Sequence, residues 1–218
     1  MTTDNIEVFR QNHIRIFRDG KEIHFDPFRT DNAPRNADYI FITHDHSDHF
    51  SIRDIERTGN KNTVLIVPEK IMEKARAADN IIGRIFAVKP GGTYNIDGLE
   101  FETLPAYNIM KPFHPKSAGF VGYILKLGGK RIYIAGDTDA TPEAKSVKCD
   151  IALLPIGGTY TMDPKRAAEL ANEIRPEAVI PVHYGCIVGS EKDGREFESR
   201  VDKDIKVVFK IRFDERES

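Results

Sequence analysis

Tyr39-Ile40-Phe41-Ile42-Thr43-His44-Asp45-His46-Ser47-Asp48-His49 is the stretch on which the fold turns. Tyr39 to Ile42 form a short apolar strand that runs through Thr43 directly into the histidines. Imidazole and carboxylate are the ligands that first-row divalent metals take where thiolates are absent. In extended chain, side-chain direction repeats every two residues, so His44 and His46 face one way and suit one ion. Asp48 and His49 follow a turn and face elsewhere, within reach of a second ion. Imidazoles and carboxylates crowded into one partly buried loop each need a hydrogen-bond partner, whereas a metal satisfies them together.

Outward from this stretch, the N-terminal side reads as hairpins: Ile6 to Phe17, a turn at Asp19-Gly20, then Glu22 to Phe25 ending at Asp26-Pro27. On the other side, Ser51 is an N-cap for a helix through Arg57, and Thr63 to Val67 is a β-branched strand. Pro68 suits the first position of a helix through Ala77. Gly91-Gly92 and Asp97-Gly98 break Ile85 to Leu104 into strands, and Gly128-Gly129 joins Phe120–Leu127 to Lys130–Ala135 as a tight hairpin. Asp163 and Pro164 open a helix that runs through Ile174 and stops at Pro176. Val179 to Val182 form a strand, and the alternation from Ile205 to Phe213 predicts a last one. This order of elements suits two packed sheets with helices on their outer faces. Strand ends at Ile42, Leu104, Ala135 and Val182 each precede a loop carrying a His or Asp, and such loops at one rim are where sites are built.

The 218 residues are 40% hydrophobic and 30% charged, with 32 Lys and Arg against 34 Asp and Glu. That balance points away from a nucleic-acid partner. No repeat, low-complexity tract or flexible linker divides the chain, so residues 1–218 read as one domain. The longest apolar runs, such as Ile151 to Ile156, fall far short of the roughly 20 residues of a membrane span. With no basic, apolar leader at Met1, a cytoplasmic protein without a membrane anchor is expected. Cys149 reads as packing and Cys186 as a free thiol near His183.

The run His44-Asp45-His46-Ser47-Asp48-His49 matches the H-x-H-x-D-H motif of the metallo-β-lactamase-fold hydrolases, and the sequence resembles that family from Asp26 to at least Gly185. The resemblance implies an α+β fold, an αββα sandwich of two mixed β-sheets flanked by helices, with the site at one rim. It also implies three further ligands: His114, Asp137 in Gly136-Asp137-Thr138-Asp139, and His183 in Pro181-Val182-His183-Tyr184-Gly185. Ile132 to Thr138 and Leu153 to Met162 are similar to the branch that includes ascorbate-6-phosphate lactonase and N-acylphosphatidylethanolamine phospholipase D relatives. The implied cofactors are two divalent metal ions, zinc first, manganese or iron also admitted. His44, His46 and His114 go to one ion, Asp48, His49 and His183 to the other, and Asp137 bridges them, with Asp48, Asp137 and His183 nearest the chemistry. Asn108 is the alternative to His114.

Two ions about 3.5–4 Å apart share a water and lower its pKa towards about 7, giving a nucleophile at neutral pH. Charge counting leaves the centre positive, so the expected substrate is a small anionic ester, lactone or phosphodiester. A nuclease or phosphodiesterase acting on nucleic acid and a non-catalytic metal-binding protein are the alternatives. A homo-oligomer stays open. Asp26, Asp45 and Asp139 are candidates to orient the imidazoles from behind. Lys111 and Lys116 flank His114 as candidates to steer an anion, or as a solvated basic loop. His13 and His24 are left over, and Gly157-Gly158 reads as a turn.

Overall fold

The computed structural model describes residues 1–31 and 33–211. One sheet contains, in spatial order, β1 (Ile6–Val8), β2 (Ile14–Arg18), β3 (Lys21–Phe25), β4 (Tyr39–Phe41), β5 (Val64–Pro68) and β6 (Arg84–Val88). The first three pair antiparallel, and from β3 onward the pairing is parallel. The second sheet holds β7 (Thr93–Ile96), β8 (Leu99–Pro105), β9 (Val121–Leu127), β10 (Lys130–Ile134), β11 (Ile151–Pro155), β12 (Ala178–Val182) and β13 (Lys206–Val207). It repeats the plan, antiparallel through β10 and parallel from β10 to β13. Gly128 and Gly129, both at positive φ, form the two-residue β9–β10 turn, which needs left-handed backbone at each position.

Strand parity sorts the apolar residues into three cores. Tyr39 and Phe41 face inward and meet Phe25, Phe101 and Tyr123 between the sheets. Ile40, Leu65 and Val67 face outward beneath α1 (Ile52–Thr58) and α2 (Met72–Ala75). On the other side Ala152, Leu154 and Val179 support α3 (Pro142–Lys145), α4 (Pro164–Ile174) and α5 (Glu191–Arg200). Strands covered on both faces read as continuous apolar runs, as Ile151 to Pro155 does. The result is the αββα sandwich that the resemblance implies.

Caps follow the sequence. Ser51 Oγ accepts from Asp54 N–H at 3.2 Å and Asp163 Oδ1 from Arg166 N–H at 2.8 Å. Two expectations are corrected. Pro68 ends β5 with an extended ψ of 137° and precedes a 3-10 turn, and the helix through Ala77 is broken into short 3-10 and α segments. The last strand is two residues long. Val208 N–H donates to Val179 O, which places Pro181 on the same side of β12, and proline offers no N–H to extend the ladder. After that last bond from Val208 the chain continues to Ile211 outside any strand, and Arg212 and Phe213 lie outside the described residues. Among the described residues no helix is long and apolar enough to cross a membrane.

Candidate metal centre

All seven sequence-derived ligands meet at one rim. His44 and His46 lie in the extended segment after β4. A turn in which His49 N–H and Phe50 N–H both donate to His46 O then reverses the chain and delivers Asp48 and His49. The loop after β8 brings His114. Gly136, at φ +64°, turns β10 into Asp137; a Cβ there would stand 3.0 Å from that of Thr43. His183 follows β12 at φ +58°, and Gly157 makes room for it, since a Cβ at 157 would sit 2.3 Å from the His183 carbonyl oxygen.

His46 Nδ1 is 3.1 Å from His44 Nε2 and 3.2 Å from His114 Nε2. Across the site, His49 Nε2 is 3.2 Å from His183 Nε2, and Asp48 Oδ2 is 3.5 Å from both. Asp137 lies between the two sets: Oδ2 is 3.2 Å from His183 Nε2, 3.5 Å from His114 Nε2 and 4.0 Å from His44 Nε2. Its Oδ1 is 3.4 Å from His49 Nε2. His44, His46 and His114 could hold one ion, and Asp48, His49 and His183 another, with the atoms of each set within 4.8 Å of one another.

The imidazoles are aimed from behind. Asp26, fully buried at φ +43°, accepts from Thr43 N–H and Oγ1–H, from the Asn12 amide and, at 2.8 Å, from His49 Nδ1. Thr43 Oγ1 is 3.0 Å from His44 Nδ1, so one hydroxyl links Asp26 to a second imidazole. His114 Nδ1 is 2.9 Å from Asn108 Oδ1, and Asn108 N–H donates to His114 O. Asn108 therefore orients His114, and the two are partners in place of alternatives. The remaining candidates are engaged elsewhere. Asp45 pairs with Lys74, and Asp139 accepts from Ile109 N–H and Lys111 Nζ, so neither carboxylate reaches an imidazole. Lys111 ties its loop to the loops after β10 and β11 through Asp139 and the Gly158 carbonyl, and Lys116 pairs with Glu143, so both ammonium groups already have anionic or carbonyl partners. Cys186 meets Arg29 at 3.7 Å and joins none of the ligand sets. Cys149, partly buried, packs against the core beneath α4, as expected.

Charge divides the site. Burial opposes a charged His183, yet Asp137 and Asp48 lift it to about 9; burial likewise opposes a charged His49, and Asp137 and Asp26 outweigh it. On the other side burial, helped by the neighbouring imidazoles, outweighs Asp137 and lowers His44 well below the usual imidazole range and His114 to about 4. For Asp137 burial resists ionisation, but His183 and His49 hold it well below the carboxylate range. Asp137 Oδ1 nonetheless has no hydrogen-bond donor. Facing imidazole nitrogens, a carboxylate oxygen without a donor, and protons supplying the positive charge are features a divalent cation accommodates at once, so the residues fit such ions.

His13 and His24 lie outside the centre, buried 3.0 Å apart between their Nε2 and Nδ1 atoms, with His24 Nε2 3.2 Å from Glu22 Oε1. Burial, then His24, lowers His13 to about 3; burial, then Arg15, lowers His24 to about 4. Between those values and 6.5 the unfolded chain binds the protons and the folded chain does not. Their contribution to stability is thus complete above pH 6.5 and falls as pH drops towards 4. Urea melts of the metal-free protein from pH 7 to 4.5 are expected to show this decline, and His24→Gln to flatten it. An unchanged slope in the variant counts against the assignment.

Residues 5–183 match the family model of the beta-lactamase superfamily domain. A UPF0173 metal-dependent hydrolase of Thermus thermophilus is 33% identical over 197 residues, covering 85% of this chain and 86% of its own. The chain belongs to this family of metal-dependent hydrolases. A crystal structure of a candidate metal-dependent hydrolase from Parabacteroides distasonis aligns with a TM-score of 0.81 at 31% identity, over 95% of this chain and 93% of that one. A metallo hydrolase of the archaeon Ignicoccus hospitalis aligns with a TM-score of 0.76 at 25% identity, over 94% and 93%.

Proposed function

We propose that this hydrolase cleaves a small anionic ester, lactone or phosphodiester at a centre of two divalent ions. The observation that carries the reading is Asp137, whose carboxylate lies between two imidazole sets and leaves Oδ1 without a donor. In this reading His44, His46 and His114 hold one ion, Asp48, His49 and His183 the other, and Asp137 bridges. Bound there, such ions supply an activated water and stabilise charge on the substrate oxygen. Zinc is the first choice, and the nitrogen and oxygen donors also admit manganese and iron. Asp26, Thr43 and Asn108 hold the rings in place, so little rearrangement is needed on loading.

Two divalent charges against Asp48 and Asp137 leave the centre positive, which favours an anion. The similarity of Ile132 to Thr138 and Leu153 to Met162 to the lactonase branch supports the same class. The rim adds a preference. Of seven exposed large hydrophobic side chains among the described residues, four (Ile109, Met110, Phe113 and Ile187) lie on the loops that carry His114 and His183. A substrate with an apolar arm beside its anionic centre fits that surface better than an oligonucleotide does.

The test is a screen of zinc- and manganese-loaded protein over lactones, phosphodiesters, thioesters and oligonucleotides. Turnover of small anionic esters is expected, with kcat/KM rising roughly 2–4-fold per methylene of the arm. Salt-sensitive binding and cleavage of oligonucleotides would favour the nuclease reading. Tight metal binding with no turnover of any class would favour a non-catalytic metal-binding protein.

A further inference from the structure

Three of the four deeply buried imidazoles at the centre have an outer partner on Nδ1: Asp26 for His49, Thr43 for His44 and Asn108 for His114. His183 is the exception. Its Nδ1 is buried and has no hydrogen-bond partner. What fixes His183 comes from the other direction, the loop between β1 and β2. There Gln11, fully buried and at φ +53°, accepts His183 N–H on its backbone oxygen at 2.8 Å. Its side-chain Nε2 donates to Asp48 Oδ2 at 3.0 Å and lies 3.3 Å from His183 Nε2, while its Oε1 accepts from Ile187 N–H at 3.4 Å.

We propose that Gln11 is a positioning residue that sets Asp48 and His183 for the second ion. The proposal rests on the ligand assignment made above. A carboxylate oxygen has two lone pairs, so Asp48 Oδ2 can accept from the amide and still face an ion. Without that donor the partly exposed Asp48 side chain is free to rotate away from the nitrogen of His183 that it faces, while the Gln11 backbone oxygen holds the His183 main chain in place. Gln11, Asp26 and His183 are also three of the eight non-glycine residues at positive φ among those described. Left-handed backbone at non-glycine residues costs on the order of 1–3 kcal/mol each and persists where the surroundings demand it. Gln11 and His183 thus both hold left-handed backbone at the second ion's half of the centre.

The test is to strip wild-type protein, Gln11→Met and Gln11→Ala of metal, check each for cooperative melting, and titrate with zinc against a chromophoric chelator. Met keeps the volume and removes the hydrogen bonds, so it separates packing from positioning. Wild type is expected to bind two ions. Both variants should bind the first as wild type does and the second about 10–100-fold more weakly, the usual cost of losing an outer partner. Activity should return as zinc is raised, and Gln11→Met should add nothing to the loss in an Asp48→Ala background. Wild-type affinity for both ions in Gln11→Met would overturn the proposal. So would loss of cooperative melting in both metal-free variants, because Gln11 would then be a residue of the fold. Fewer than two ions in wild type would overturn the ligand assignment itself, and the Gln11 proposal with it.

Discussion

Asp137→Ala is expected to reduce the metal content from two ions to one or none and to lower kcat/KM by more than about 10²-fold. That bound follows because losing even an outer partner of a ligand costs up to about 10²-fold, and Asp137 is placed to touch both ions. Its carboxylate is within 3.2–4.0 Å of four ring nitrogens, on His44, His49, His114 and His183. Without it, no carboxylate is left between the two imidazole sets for both ions to share. The loss should therefore not be made good by excess metal, in contrast to the Gln11 variants. Metal analysis by mass spectrometry, alongside kinetics on any substrate found in the screen, checks this. Full metal content together with full activity would contradict it.

Asp26→Ala is expected to act on stability and on metal together. The carboxylate lies at no exposure and accepts from four donors: Thr43 N–H, Thr43 Oγ1–H, the Asn12 amide and His49 Nδ1. Removing it orphans several buried groups, at a cost on the order of 3–5 kcal/mol. For a chain of this length that corresponds to a fall in Tm of roughly 10 °C or more. His49 and, through Thr43, His44 also lose their orientation, so affinity should drop about 10–100-fold for each ion. Calorimetry with and without zinc separates the two effects. A variant that melts as wild type does but binds metal weakly would confine Asp26 to the centre, and the reverse would confine it to the fold.

The part of the site legible in the sequence is the part concentrated in one segment. His44 to His49 declare a metal because their chemistry is crowded into six positions, and His114, Asp137 and His183 follow from the order of motifs in the resemblance. The orienting residues are harder to read. Asp26 stands out as a carboxylate at a strand end, but Asp45 and Asp139 have the same local credentials and are engaged elsewhere. Asn108 is legible as a polar residue near His114, yet which of the two faces the centre depends on a loop closed by Asn108 N–H and His114 O. Gln11 carries no motif and lies 172 positions from His183, so packing of the two sheets alone brings them together.

The fold shows the same division. Both sheets follow from apolar runs, glycine pairs and caps. α5 is not read in advance because Phe197 and Gly194 are its buried positions, too few for an apolar stripe. Its visible signs are the Ser190 and Asp193 capping box and the Glu191–Arg195 and Glu196–Arg200 pairs. β13 is shorter than its sequence suggests for the opposite reason. Alternation from Ile205 onward marks a strand, but a ladder also needs donors on its neighbour, and Pro181 has none.

The most direct test of the central claim is anomalous diffraction at the zinc edge from crystals of zinc-loaded protein. Two peaks about 3.5–4 Å apart are expected, one within ligand distance of His44, His46 and His114, the other of Asp48, His49 and His183, with Asp137 touching both. A single peak, or Asp137 turned away from the metal, would contradict it.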